Sequence, residues 1–139
     1  MPSGVYNQFK TEIMNKVIDL EADDIKVALL DTNHSFDQTH TGWTPRATNE
    51  LSATGGYATG GESLTSKVVS QESTHGKYPA ANVSWTSATF QAFHAVIYDD
   101  TPSSPSKPLI CSIDFSGGQQ VTSGTFTIQW AAGGIITIT

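Results

Sequence analysis

The sequence predicts a mainly β protein, a jelly-roll-like β-sandwich or barrel with one N-terminal α-helix. Three observations carry this prediction. Apolar residues alternate with other residues in the second half of the chain, turn residues separate the alternating runs, and the single helical stripe lies in the first twenty residues. A period of two is typical of strands, and short strands between regularly spaced turns are typical of sandwiches and barrels.

The N-terminal segment predicts the helix. Its apolar residues recur at spacings of three and four, which places them on one helical face: Tyr6, Phe9, Ile13, Val17 and Leu20. Asn7 is a suitable N-cap, and the stripe predicts about three turns. The acidic residues that follow, from Asp19 to Asp24, predict a solvated turn, so residues 1–22 are interpreted as helix and turn.

Residues 31–62 show little periodicity and predict a long loop region. They are rich in Thr, Asn and Gly, and they include the flexible pairs Gly55-Gly56 and Gly60-Gly61. A loop of this length is unusual inside a compact domain, so we expect it to have a function. Its aromatic residues need a surface to pack on, in this domain, in a second subunit or in another protein.

The later part of the chain predicts strands. Runs at 90–98, 109–115 and 126–130 alternate, with a proline- and serine-rich loop after Asp99-Asp100 and a predicted strand break at Gly117-Gly118. Ala131 to Gly134 predicts a tight turn, after which residues 135–139 would pair with 126–130 and place Ile136 and Ile138 in the core. The 139 residues are interpreted as one β-sandwich domain.

Composition and charge exclude several classes of partner. The formal charge is −6, and the seven basic residues are scattered from Lys10 to Lys107. Because phosphate contacts need clustered cations, we expect no nucleic-acid partner. No apolar run approaches the roughly 18 residues of a membrane span, and the N-terminus lacks the pattern of a signal peptide, so we expect no membrane partner.

The search for chemistry predicts no catalytic residue, no metal site and no cofactor. The sequence contains no nucleophile elbow, phosphate-binding loop or dinucleotide fingerprint. Cys111 lies on the apolar face of a predicted strand and is interpreted as a small core residue. Asp99-Asp100 is interpreted as a turn. His34 and His40 form only a loose cluster in a polar loop, and His94 is interpreted as a structural histidine.

The loop region supplies the candidate interface residues. Trp and Arg are favoured anchors of protein interfaces, and Trp43 lies beside Pro45 and Arg46. We therefore predict a protein interface that is formed by Phe36, Trp43, Pro45, Arg46 and Tyr57.

Several segments resemble virion structural proteins of tailed bacteriophages. They are Tyr6 to Asn15, Ile25 to Leu30, His94 to Thr101, Gly124 to Trp130 and Gly134 to Ile138. The chain is similar there to capsid decoration (cement) proteins. The resemblance implies a non-enzymatic protein, made in the bacterial host cytoplasm and located on the capsid surface of the virion. It also implies that the protein binds the phage major capsid protein, clamps neighbouring capsid subunits, and associates with itself as a dimer or trimer.

Two other functions stay open at the level of sequence. The first is a tail-tip or fibre module that binds host carbohydrate, with Trp43 and Tyr57 as stacking platforms. The second is a small hydrolase on a jelly-roll scaffold, which would need convergent carboxylates or histidines in a pocket.

Overall fold

A computed structural model describes residues 3–138. The protein is mainly β, with antiparallel sheets and one short N-terminal helix, as the sequence predicts. In chain order the elements are β1 (Gly4–Val5), α1 (Asn7–Met14), β2 (Ile25–Leu30), a 3-10 helix (Thr44–Asn49), β3 (Glu62–Ser63), β4 (Ser70–Glu72), β5 (His75–Tyr78), β6 (Val83–Asp99), β7 (Leu109–Ile128) and β8 (Ile136–Ile138).

The N-terminal helix is shorter than predicted. It begins at Asn7, which is its first helical residue and not its cap, and it ends after eight residues at Met14. The chain then turns at Lys16, whose φ is 62°, and the amide of Ile18 bonds back to Glu12. This turn interrupts the helical stripe before Val17. The acidic turn is confirmed, because Asp19 Oδ1 accepts backbone hydrogen bonds from residues 21 and 22.

A five-stranded sheet has the order β1-β7-β6-β2-β3. Its centre is the antiparallel pair of β6 and β7, which runs from the pairing of Val83 with Ile128 to that of Tyr98 with Leu109. The loop of residues 100–108 joins the two strands, and β2 pairs with the second half of β6. The sheet is therefore built around one long hairpin.

The predicted strand break at Gly117-Gly118 is wrong. β7 continues to Ile128, and the two glycines lie in a bulge between paired residues Asp114 and Gln119. Four residues of β7 there lie opposite the single residue Phe93 of β6. Gly117 adopts a φ of 123°, which favours glycine, so the pair accommodates the bulge without ending the strand.

A three-stranded sheet has the order β4-β5-β8. The predicted pairing of the last strand with residues 126–130 is wrong, because β8 pairs with β5. The preceding turn ends at Gly134, with φ of 85°, and a Cβ there would lie 2.7 Å from the Tyr78 carbonyl oxygen. The amide of Ile135 donates to that same carbonyl at 2.8 Å, so the turn delivers the chain to β5. Ile136 is buried, whereas Ile138 is exposed, which corrects the expectation that both lie in the core.

In the five-stranded sheet, β2 and the second half of β6 are buried on both faces. On one face, residues from α1, both sheets and Tyr57 form a single apolar core. On the other face, residues 31–50, here named the covering segment, pack on a second core. That core comprises Tyr6, Ala28, Leu30, Trp43, Val96, Tyr98 and Leu109. The loop region contains no strand before Glu62, as predicted, but it packs on its own domain.

No helix among residues 3–138 has the length and the apolar character that are needed to cross a membrane.

Candidate functional site

Trp43 is not an exposed interface residue. It immediately precedes the 3-10 helix, and its ring stacks on Tyr98 with centroids 4.7 Å apart and planes 5° apart. Its amide donates to the carbonyl of Lys107 at 2.9 Å. Only 4% of the residue is exposed, so Trp43 is not an accessible stacking platform, and its role in a protein interface stays a prediction. The physical reason is that the covering segment finds its apolar surface on the sheet of the same chain.

Tyr57 is also buried, so it is not accessible as the stacking platform that the carbohydrate hypothesis requires, and its role in a protein interface stays a prediction. Its ring packs near Trp85 and Phe90, and its hydroxyl donates to Glu50 Oε2 at 2.6 Å. The same hydroxyl accepts the backbone N–H of Leu29 at 3.1 Å. Burial, followed by the Glu50 hydrogen bond, raises the pKa of Tyr57. The residue thus fixes the loop to β2.

The other three predicted interface residues lie at or near the surface of the covering segment. Phe36 is half-buried against Tyr6, with ring centroids 5.0 Å apart. Pro45 is exposed, and Arg46 is half-buried. All three belong to residues 31–50, and their role in an interface stays a prediction.

A cleft that the sequence analysis did not identify lies along β7. Its volume is about 630 Å³, which lies in the range of ligand and anchor-residue pockets, roughly 300–1,000 Å³. Its apolar lining is half-buried and comes from three parts of the chain: Val5 of β1, Ile113, Phe115 and Phe126 of β7, and Trp130 and Ile135 after β7. Gln119, Thr127 and Gln129 add neutral polar groups at its rim.

Trp130 has a fixed position in this cleft. Its indole Nε1 donates to the carbonyl of Ala81 at 3.0 Å, and its amide donates to Asn82 Oδ1 at 3.2 Å. The first bond orients the ring and the second holds its backbone, and both acceptors lie just before β6. A half-exposed aromatic ring in a fixed orientation is suited to contact with a partner or a ligand, because little conformational entropy is lost on binding.

Among the described residues, no charged side chain lines the cleft. We name residues 83–93 of β6 and 115–128 of β7 the neutral ribbon, since neither range contains Asp, Glu, Lys, Arg or His. The same is true of the whole chain from residue 115 onward, although the protein has thirteen acidic and seven basic residues. The absence of charge is visible in the sequence, but the alternation of residues does not show on which surface of the sheet the uncharged residues lie.

The outer edge of β7 is largely unpaired along this ribbon. On that side, within residues 3–138, β1 pairs with β7 only at Cys111 and Ser112. Natural proteins commonly place charges on exposed sheet edges to prevent association. A neutral edge next to an apolar cleft is therefore suited to a contact with another molecule.

A second cluster brings together histidines that lie far apart in the sequence. His34 Nε2 lies 3.2 Å from Ser112 Oγ, and the His34 ring meets the His94 ring edge-on with centroids 5.0 Å apart. His94 Nδ1 lies 3.8 Å from Asp114 Oδ1. A serine beside a histidine has the composition of a nucleophile and its base. Both residues are buried here, so the pair does not lie open to a reacting molecule.

Asp99 differs from the turn residue that the sequence predicts. It is the last residue of β6 and is fully buried. Burial, together with a hydrogen bond to the Asp23 carboxyl, raises the pKa of Asp99 to about 8. Asp100 does lie in the loop, within 3.5 Å of Lys26 and 3.2 Å of Lys107.

Cys111 is buried in the first core, as predicted, and burial raises the pKa of its thiol to about 12. Among residues 3–138, no group of three or more His, Cys, Asp or Glu side chains is arranged to hold a metal ion. No protein-family model, no curated protein and no solved structure matches this chain.

Proposed function

We propose that the protein is a capsid decoration protein of a tailed phage, which binds the major capsid protein and clamps neighbouring subunits on the outside of the head. The observation that carries the proposal is the neutral ribbon with its apolar cleft. This surface has the composition of a protein-docking site, since the centres of protein interfaces are depleted in charge and enriched in aromatic residues.

The charge distribution favours docking at this surface over other surfaces. A charged side chain that is buried without a partner at an interface costs several kcal/mol. The neutral ribbon avoids that cost, whereas the formal charge of −6 is carried entirely by other parts of the chain. The cleft has room for an apolar side chain of a capsid subunit, and contacts to several subunits would add avidity.

The resemblance of five chain segments to virion structural proteins supports the same proposal. It gives the proposed location, the virion surface, and the proposed self-association as a dimer or trimer. A protein of this kind binds and does not catalyse, so we propose a structural and not an enzymatic role.

We retain the jelly-roll-like β-sandwich as the proposed architecture. Its support is that residues of the three-stranded and five-stranded sheets share one apolar core. An experimental structure would test it, since a sandwich requires the two sheets to pack face to face at roughly 10 Å.

A capsid-binding experiment with a matched pair of variants tests the function. Gln119 is exposed at the rim of the cleft, and Gln71 is exposed on β4 of the other sheet. Both would be changed to Glu, which adds the same charge at two sites. Each protein would be added to heads of the encoding phage that lack it, and bound copies would be counted after sedimentation.

We expect the parent chain and Gln71→Glu to bind equally and Gln119→Glu to bind at least tenfold more weakly, because its charge must be desolvated. Equal binding of the two variants would remove the neutral ribbon from the proposal. Copy number in intact virions tests the location: hundreds of copies indicate a shell protein, and six or fewer indicate a tail part.

The cleft also favours a second candidate function, the binding of host carbohydrate. The platforms first considered, Trp43 and Tyr57, are buried, but Trp130 is half-exposed beside Gln129 and Gln119. An aromatic ring with neighbouring amides can stack on a sugar and hydrogen-bond its hydroxyls. Binding of the isolated protein to a glycan array, with loss of binding in Trp130→Ala, would favour this function over capsid docking.

A further inference from the structure

Two buried imidazoles meet where the covering segment lies on the five-stranded sheet. His34 belongs to the covering segment and His94 to β6, and their rings are in edge contact. Only 3% of His34 and 6% of His94 is exposed. The Ser112 hydroxyl is a neutral polar neighbour of His34, with Oγ 3.2 Å from Nε2.

The charged groups around this pair come from each element that packs there. The covering segment contributes Asp31, His40 and Arg46 near His34, and β7 contributes Asp114 near His94. Tyr6, which precedes α1, has a pKa raised to about 12 by burial, so it is uncharged in this range. His40 and Arg46 disfavour a further positive charge on His34, whereas Asp31 partly offsets them.

We propose that the covering segment is an acid-released cover: protonation of the His34–His94 pair detaches residues 31–50 from the sheet and exposes the apolar face beneath. The exposed face would include Tyr6, Leu30 and Tyr98, which the segment buries at neutral pH. This is a conformational device of the fold and is independent of the proposed capsid docking through the neutral ribbon.

The direction of the pH dependence follows from the histidines. Burial, and then the neighbouring His94, lowers the pKa of His34 from 6.5 to about 4. Burial also lowers the pKa of His94, and Asp114 opposes that shift. Because these folded-state pKa values lie below the value of the released state, attachment is at full strength above pH 6.5 and weakens as pH falls towards 4. His34 alone would shift the release equilibrium by on the order of 100-fold.

The contacts that release would break provide the readout. The amide of Trp43 donates to the carbonyl of Lys107, and the amide of Asn7 donates to the carbonyl of Gln38. The amide of Gly42 donates to Gln8 Oε1 at 2.8 Å. Loss of these bonds would expose the amides of Gly42 and Trp43 in the covering segment, and that of Asn7 in α1, to hydrogen exchange, while the β2–β6 pairing would keep the amides of residues 95–99 protected.

Hydrogen exchange with mass spectrometry, at about pH 7 and about pH 4.5, tests the proposal when intrinsic exchange rates are corrected for pH. His34→Gln and His94→Gln remove the titrating groups, and the glutamine amide at position 34 can still bond to Ser112. His75→Gln is the matched control, because His75 lies on β5 in the other sheet.

In the parent chain and in His75→Gln, we expect protection of residues 31–50 to fall by on the order of 100-fold at the lower pH, with residues 95–99 unchanged. In His34→Gln or His94→Gln the fall should be at least tenfold smaller. Constant protection of residues 31–50 in the parent would overturn the proposal. Loss of protection in residues 95–99 together with residues 31–50 would also overturn it. So would a fall in protection in both histidine variants that equals the fall in the parent. Should either variant not fold, the parent comparison and the other variant still decide.

Discussion

The rings of Phe115 and Phe126 lie 6.1 Å apart, although both belong to β7 and are separated by eleven positions. In a straight strand that separation would span about 36 Å. β7 therefore bends sharply, with bulges opposite β6 and positive φ angles at Ser116 and Ser123. This bend brings the two halves of the strand to one cleft.

Phe126→Ala should destabilise the protein by about 2 kcal/mol or more, because the ring contacts Trp85, Phe90 and Phe115 and its loss leaves a cavity. Thr125→Ala, an exposed neighbour on the same strand, should change stability by less than about 0.5 kcal/mol. Urea unfolding followed by circular dichroism measures both. Equal effects of the two substitutions would contradict the structural role of the bend.

Trp43→Ala should reduce the free energy of unfolding by about 3 kcal/mol, since a buried, stacked indole is lost from the second core. This outcome differs from that of a surface anchor, for which the stability would be unchanged. Pro45→Ala, two positions away and exposed, is the control. A Trp43→Ala protein with the parent's urea midpoint would restore Trp43 as an accessible interface residue.

Asp99→Asn should stabilise the protein at alkaline pH. The folded-state pKa of Asp99 is raised from 3.8 to about 8, so the folded protein binds a proton that the unfolded chain has released. The contribution of Asp99 to the free energy of unfolding is fully present below pH 3.8 and is lost as pH rises through 8. Urea midpoints between about pH 7 and 9 measure the loss, in a range where the lowered histidine pKa values have no effect.

The parent chain should lose stability across that range, and Asp99→Asn should lose less. Asp100→Asn, which changes the neighbouring carboxylate of the loop, should retain the parent's slope. Identical slopes for the parent and Asp99→Asn would show that Asp99 is ionised in the folded state.

Ile136→Ala should destabilise the protein by about 2–4 kcal/mol, and Ile138→Ala by less than about 0.5 kcal/mol. Both residues belong to β8, but Ile136 is 7% exposed and packs in the first core, whereas Ile138 is 57% exposed. Thermal melting of the two variants is the measurement. Similar losses for both would indicate that β8 buries both side chains, as pairing with residues 126–130 would have required.

Local sequence patterns predicted the secondary-structure elements better than they predicted which elements pair with each other. The alternation at 90–98 and 109–115 identified parts of β6 and β7, and Cys111 was correctly interpreted as a core residue. The helix was predicted too long, since the stripe continues to Leu20 while the chain turns at Lys16. An apolar stripe indicates which residues are buried, and Leu20 is indeed buried. The stripe does not show that the backbone between its residues stays helical.

The candidate site was predicted least well. Trp43 and Tyr57 lie in a loop without periodicity, and the sequence does not show that this loop packs on its own domain, because burial of a loop residue depends on a surface that is formed by distant strands. The cleft was missed because its lining comes from β1, both halves of β7 and residues 130–135. Only the bend of β7 brings those parts together.

By itself the sequence determined the mainly β character, the presence of one N-terminal helix, the acidic turn and the charge-free character of everything after residue 114. These are properties of single residues or of neighbours in the chain, and propensity and periodicity report them. Only the tertiary structure decided that β8 pairs with β5, that the covering segment closes the second face, and that His34 meets His94. The pairs Tyr78 and Ile136, Trp43 and Tyr98, and His34 and His94 are each more than fifty positions apart, and the choice of partner there depends on the packing of the whole domain.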